Sequence, residues 1–157
     1  MTAIGIEDRL IFPSVESAPP PHDDLAEPAR STYMEARGIA ATSPRSAAAL
    51  LRVCMEEVII PLGVAGTSLN DAVAELVKRG LSPQIQQVMD TVRLIGNEAA
   101  HPGTMDLNDD PAITNSLFDL VNVVIETMIT QPRKIAELYG RLPEPKLKAI
   151  QKRGEGS

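Results

Sequence analysis

The stretch VMDTVRLIGNEAAHPG, Val88 to Gly103, decides how this chain folds. Pro102 has no amide hydrogen and Gly103 disfavours helix, so a helix through the stretch stops at His101. Ile85, Val88, Val92, Ile95 and Ala99 recur at helical steps, which predicts a buried stripe. Asp90, Arg93, Asn97 and His101 fall at steps of three and four on another face and form one polar line. Gly96, Ala99 and Ala100 are small enough for a second helix to approach closely. The polar line ending in a histidine is the constellation best suited to chemistry.

Working outward, the same start signal recurs. Ser82-Pro83 opens the central helix, and Ser43-Pro44 opens an earlier one, each a cap followed by proline at the first helical position. In the earlier helix Ala47, Leu50, Leu51, Cys54, Met55, Val58 and Leu62 repeat at three and four, and it ends near Pro61 to Gly63. A helix before it, from Leu25 or Pro28 to about Ala41, turns Tyr33 and Ala36 inward. Between the two, Ser68 or Asn70 caps a short helix with Leu69, Val73, Leu76 and Val77 inside, stopped by Gly80. Asp110-Pro111 opens a long helix with Ile113, Leu117, Leu120, Val121, Val124, Ile125 and Met128 on one face. Pro132 bends or restarts it, and KLKAIQKR (Lys146 to Arg153) forms a short amphipathic helix. The expected fold is all-α, an up-and-down bundle of four to five helices with the second, fourth and fifth at its core.

Three segments follow: an extended arm over 1–24, a helical bundle over 25–131 and a basic helical tail over 132–157. The arm carries Ile4, Ile6, Leu10, Ile11 and Phe12, too apolar for solvent, and Pro19, Pro20 and Pro21 impose polyproline-like backbone. It is expected to lie across the bundle or a partner.

Only 3% of the 157 residues are aromatic and none is Trp, so the core is aliphatic, which favours packed helices over a β-sandwich. A single cysteine, Cys54, excludes an intrachain disulfide framework and fits a reducing cytoplasm. The N-terminus is acidic where a signal peptide is basic, and no apolar run of membrane-spanning length is read, so no membrane partner is expected. The net charge of −6 opposes non-specific nucleic-acid binding by the whole surface. Its distribution is uneven: residues 132–157 hold seven Lys/Arg against three acids, while residues 1–131 hold eight against eighteen. No phosphate-binding loop, zincin motif or Ser/His/Asp set occurs, and no cofactor or metal is expected. Asp106, Asp109 and Asp110 lack the ligand alternation of a calcium loop, and Asp109 or Asp110 is expected to cap the next helix.

The blocks YMEA (Tyr33 to Ala36), SPRSAAALLRVCMEE (Ser43 to Glu57), SLNDAVAEL (Ser68 to Leu76) and RLIGNEAAHPG (Arg93 to Gly103) resemble, in that order, the domain-of-unknown-function family 4145. The resemblance runs from about Pro28 to Thr130. Relatives often carry an N-terminal zinc ribbon, but no CxxC pair precedes RLIFP here. That family in turn looks like the HEPN superfamily of dimeric helical bundles, many of them metal-independent RNases of prokaryotic defence. The superfamily motif is often Arg-Asn-x-x-x-His. NEAAH supplies Asn97 and His101, Gly96 stands at the arginine position, and Arg93 lies one turn earlier.

On that resemblance His101 is the candidate general acid/base, Arg93 the phosphate-steadying cation and Asn97 the orienting amide. The plainer reading makes His101 a helix-end residue and Asp90–Arg93 a surface ion pair. Cys54 reads as a buried structural thiol, Glu56 and Glu57 diverge on their helix, and His22 has no metal partners. The reading adopted is a non-catalytic interaction or accessory module that forms a homodimer near the Asn97–His101 end and has a protein partner. The alternatives are a metal-independent RNase using His101, Asn97 and Arg93, and an RNA or DNA binder acting through the basic tail.

Overall fold

The computed structural model describes residues 18–63, 68–101 and 110–155, and these contain helices and no strand. In chain order they are α1 (Ala29–Ile39), α2 (Pro44–Leu62), α3 (Leu69–Lys78), α4 (Pro83–Ala99), α5 (Pro111–Ile125), a π-helical turn (Glu126–Thr130), α6 (Gln131–Gly140) and α7 (Glu144–Glu155). The start signals act as read. The Ser43, Ser68 and Ser82 hydroxyls accept from the amides of Ser46, Asp71 and Ile85, and the Asp110 carboxylate accepts from Ala112. Gly80 ends the α3 turn at φ +103°, a conformation that costs other residues steric strain. The loop acids Asp106 and Asp109 and the apolar residues of the arm from Ile4 to Phe12 lie outside the described residues.

α2 is the centre: α1, α3, α4 and α5 all pack against it. Leu51, Met55, Val92, Leu117 and Val124 are fully buried, and Tyr33 meets Phe118 edge to face at 5.1 Å. Three inward assignments need correcting. Leu62 of α2 and Val77 of α3 are exposed, and the buried positions of α4 are Met89, Val92, Gly96 and Ala99, with Ile85, Val88 and Ile95 only partly covered. The helix is rotated toward its small residues. Gly96 is why: a Cβ built there would stand 2.5 Å from Arg52 Cβ and 3.1 Å from the Ala48 carbonyl oxygen. Close approach of α2 and α4 adds dispersion contacts along both helices.

The described part of the arm, residues 18–25, is a strap across α1 and α5. Its prolines have no N–H to donate, so its carbonyls must find donors on the bundle. Arg37 Nε donates to the Ala18 carbonyl at 3.1 Å, Tyr33 Oη to Pro19 at 2.8 Å, and Asn122 Nδ2 to Pro20 at 3.1 Å. Ala18 and Leu25 are buried at the two ends of the strap.

At the other end, helix runs unbroken from Pro111 to Gly140 through the π-turn. Pro132 cannot donate to the ladder, and the widened turn just before it absorbs the misfit. By length and composition alone Pro111–Gly140 meets the measure of a membrane span, with a third of its most apolar window buried. Its inner face, Leu117, Phe118, Val121, Val124 and Ile125, is bundle core. Past the π-turn the situation changes, because no residue of α6 is buried.

Candidate functional site

Three groups of side chains have the chemistry to matter. The first is the polar line of α4. Arg93 Nε lies 3.8 Å from Asp90 Oδ1, an ion pair without a hydrogen bond, and Asn97 and His101 are exposed. His101 closes the helix end: its amide donates to Glu98 O at 3.1 Å and its carbonyl accepts from Arg45 at 2.9 Å. α2 contributes what sequence reasoning missed. Arg45 and Arg52, seven residues apart and so on one face of α2, reach along α4, with Arg52 over Gly96 and bonded to Glu56. The Nε atoms of Arg45, Arg52 and Arg93 are all shielded from solvent without a hydrogen-bond partner. The seven-residue spacing was the available signal. Without knowing that α2 runs antiparallel beside α4, it pointed nowhere.

The second group joins strap to π-turn. His22 Nδ1 accepts from the Asp24 amide at 3.0 Å, so the ring proton sits on Nε2 and points at Glu126 Oε1, 2.8 Å away. Asp24 accepts from Thr130 at 2.5 Å and from Arg133 at 2.9 Å. The hydrogen bond from Arg133, then that from Thr130, pulls the Asp24 carboxyl down to about 2, and the His22 hydrogen bond lowers Glu126. His22 thus gains carboxylate company that its place after three prolines did not reveal. Both ring nitrogens are engaged and each acid has a donor, so this group fastens the strap. Among the described residues no set of three His, Cys, Asp or Glu could hold a metal ion.

Cys54 is buried, its thiol pushed up to about 12 by burial and bonded to the Ala29 carbonyl, so it carries no thiolate chemistry. Glu56 and Glu57 diverge as expected, one to Arg52 and the other to Thr32.

The third group is apolar. Ile135, Leu138, Tyr139 and Leu142 recur at helical spacing along α6 and its following turn, and Ile150 of α7 faces the same groove beside Arg141. The first four are 53%, 58%, 46% and 41% exposed and Ile150 is 48% exposed. The spacing was legible in the sequence, where the tail registered as basic with one short amphipathic helix.

A family model, the domain of unknown function DUF4145, matches residues 34–141. The chain belongs to that family. No curated protein and no solved structure matches it. The DUF4145 match begins inside α1 and ends in the turn after α6, so it takes in α2 to α6 whole. Arg45, Arg52, Arg93, Asn97 and His101 all lie within it, as do Glu126, Thr130 and Arg133, while His22, Asp24 and α7 lie outside.

Proposed function

We propose that this DUF4145 chain is a non-catalytic interaction module with a HEPN-like bundle, serving prokaryotic defence or nucleic-acid processing. Its α6–α7 arm is the docking element. One observation carries the reading: large apolar side chains are held on a helical arm outside the core and stay about half exposed. A contiguous exposed apolar patch is a mark of an interaction surface. Replacing Ile135 and Leu138 by Glu tests it. The double variant should melt with the parent yet lose association, whereas a large drop in melting temperature would mean that the arm is core.

The metal-independent RNase is the second reading, and one observation favours it. Arg45 donates to the His101 carbonyl at 2.9 Å, which brings a guanidinium to the histidine end of the polar line. In that scheme His101 exchanges the proton of a ribose hydroxyl or leaving oxygen, Asn97 orients it, and Arg93 with Arg45 steadies the phosphate. RNA incubated with the protein in EDTA decides between the two. An interaction module leaves it intact; an RNase cuts it, and His101→Ala abolishes the cutting without lowering stability.

A further inference from the structure

The groove between α6 and α7 has a volume of about 510 Å³, and five of the six residues lining it are apolar: Ile135, Leu138, Tyr139, Leu142 and Ile150. Ile135 to Leu142 spans roughly 10 Å of helix, or about two turns. These side chains line a hollow and do not stand out as a ridge. A lipid surface takes a projecting apolar face, whereas a hollow takes side chains from a partner. The length suits a partner helix whose large apolar residues repeat at three and four along two turns.

Charge narrows the partner further. Arg141 forms part of the groove wall, and Lys146 lies one turn before Ile150 on the same face of α7. Two acids of the arm already face cations of the arm: Glu137 lies 3.8 Å from Arg133, and Glu144 lies 3.3 Å from Lys148. Residues 132–157 carry seven Lys/Arg against three acids, so the groove stands in a positive field. Resting on the reading of the arm as a docking element, we propose that the groove takes an acidic amphipathic helix of another protein. The partner's leucine-type side chains fill the hollow, and its flanking carboxylates face Arg141 and Lys146.

This chain's own bundle offers no such ridge among the described residues. Its exposed large apolar side chains, Met34, Leu62, Val77, Leu94 and Val123, stand one to a helix. In the proposed complex apolar burial supplies the driving force. Opposite charge sets the approach rate, the orientation and the salt dependence.

Two fluorescein-labelled synthetic peptides of equal length test the assignment by anisotropy with the full chain. Both carry leucine at helical spacing on one face; one has glutamate at the flanking positions and the other has lysine. The glutamate peptide should bind, more weakly as salt rises, and should lose about tenfold in affinity or more in Leu138→Asn and in Arg141→Gln. The lysine peptide should not bind. Equal binding of the two peptides, or glutamate-peptide binding that Leu138→Asn leaves unchanged, overturns the acidic helix as occupant. Phosphatidylserine vesicles and a single-stranded RNA oligonucleotide are run beside the peptides, and retention of either that Leu138→Asn abolishes overturns it too. If the glutamate peptide fails to bind, an apolar fluorescent dye, 8-anilinonaphthalene-1-sulfonate, separates the two layers. Dye bound by the parent and released by Leu138→Asn overturns the acidic helix but leaves the arm a docking surface, and no dye binding removes that reading as well.

Discussion

Arg133 donates to Asp24 across 109 residues of sequence, at 2.9 Å, and so pins the first turn of α6 to the N-terminal strap. Thr130 holds the other oxygen of the same carboxylate from inside the π-turn, and His22 holds Glu126 one helical turn earlier. The direction in which the arm leaves the bundle is thus set by the strap as well as by Pro132. The Asp24 carboxyl lies at about 2 against an ordinary value near 3.8. A lowered carboxyl contributes its stability above the ordinary value and loses it as pH falls through the folded one. Thermal melts of the parent and Asp24→Asn should therefore differ at neutral pH and converge as pH falls from about 4 to about 2. A difference that persists unchanged to the acid end would mean that the carboxylate is not what holds the strap.

Gly96 sits under Arg52, and this decides the sign of an otherwise ambiguous substitution. Gly to Ala inside a helix ordinarily stabilises by up to about 1 kcal/mol through propensity. Here the new methyl would stand 2.5 Å from the Arg52 Cβ, which is fixed to the α2 backbone and cannot swing aside as a side-chain end can. Overpacking of this kind costs about 1–3 kcal/mol, so the clash wins. Gly96→Ala should be less stable than the parent in urea unfolding, and Gly96→Arg should be worse. A stabilised Gly96→Ala would show that α2 and α4 stand further apart than described.

Much of this architecture was legible in the sequence because it is local. Ser43-Pro44, Ser82-Pro83 and Asp110-Pro111 state where helices begin through the chemistry of two adjacent residues, and each does so in the structure. What escaped depends on partners far away in the chain. His22 looked solitary because Glu126 lies 104 residues on. Helical spacing located the α4 stripe to within a fraction of a turn, but its rotation depends on the neighbouring helix, and Gly96 carries no hydrophobic signal of its own. Asn97 and His101 were found as a pair by spacing, while Arg45 and Arg52 required the α2–α4 packing.

Core and arm should separate cleanly under mutation. Leu51 is fully buried at the centre of α2, and truncating a buried leucine to alanine costs about 2–5 kcal/mol. Leu138 is 58% exposed on α6, and substitutions at such surface sites stay within about 0.5 kcal/mol. Denaturant unfolding at low protein concentration should place Leu51→Ala well below the parent and Leu138→Glu beside it. Equal effects at the two sites would mean that the arm belongs to the cooperative core.

Amide hydrogen exchange across Gln131–Glu155, read at increasing concentration of the glutamate peptide, tests the docking role of the arm most directly. Burial of α6 and α7 in an interface predicts exchange there that slows as concentration rises. Core amides such as those around Leu51 should stay unchanged. Exchange in α6 and α7 that is equally fast at every concentration would contradict it.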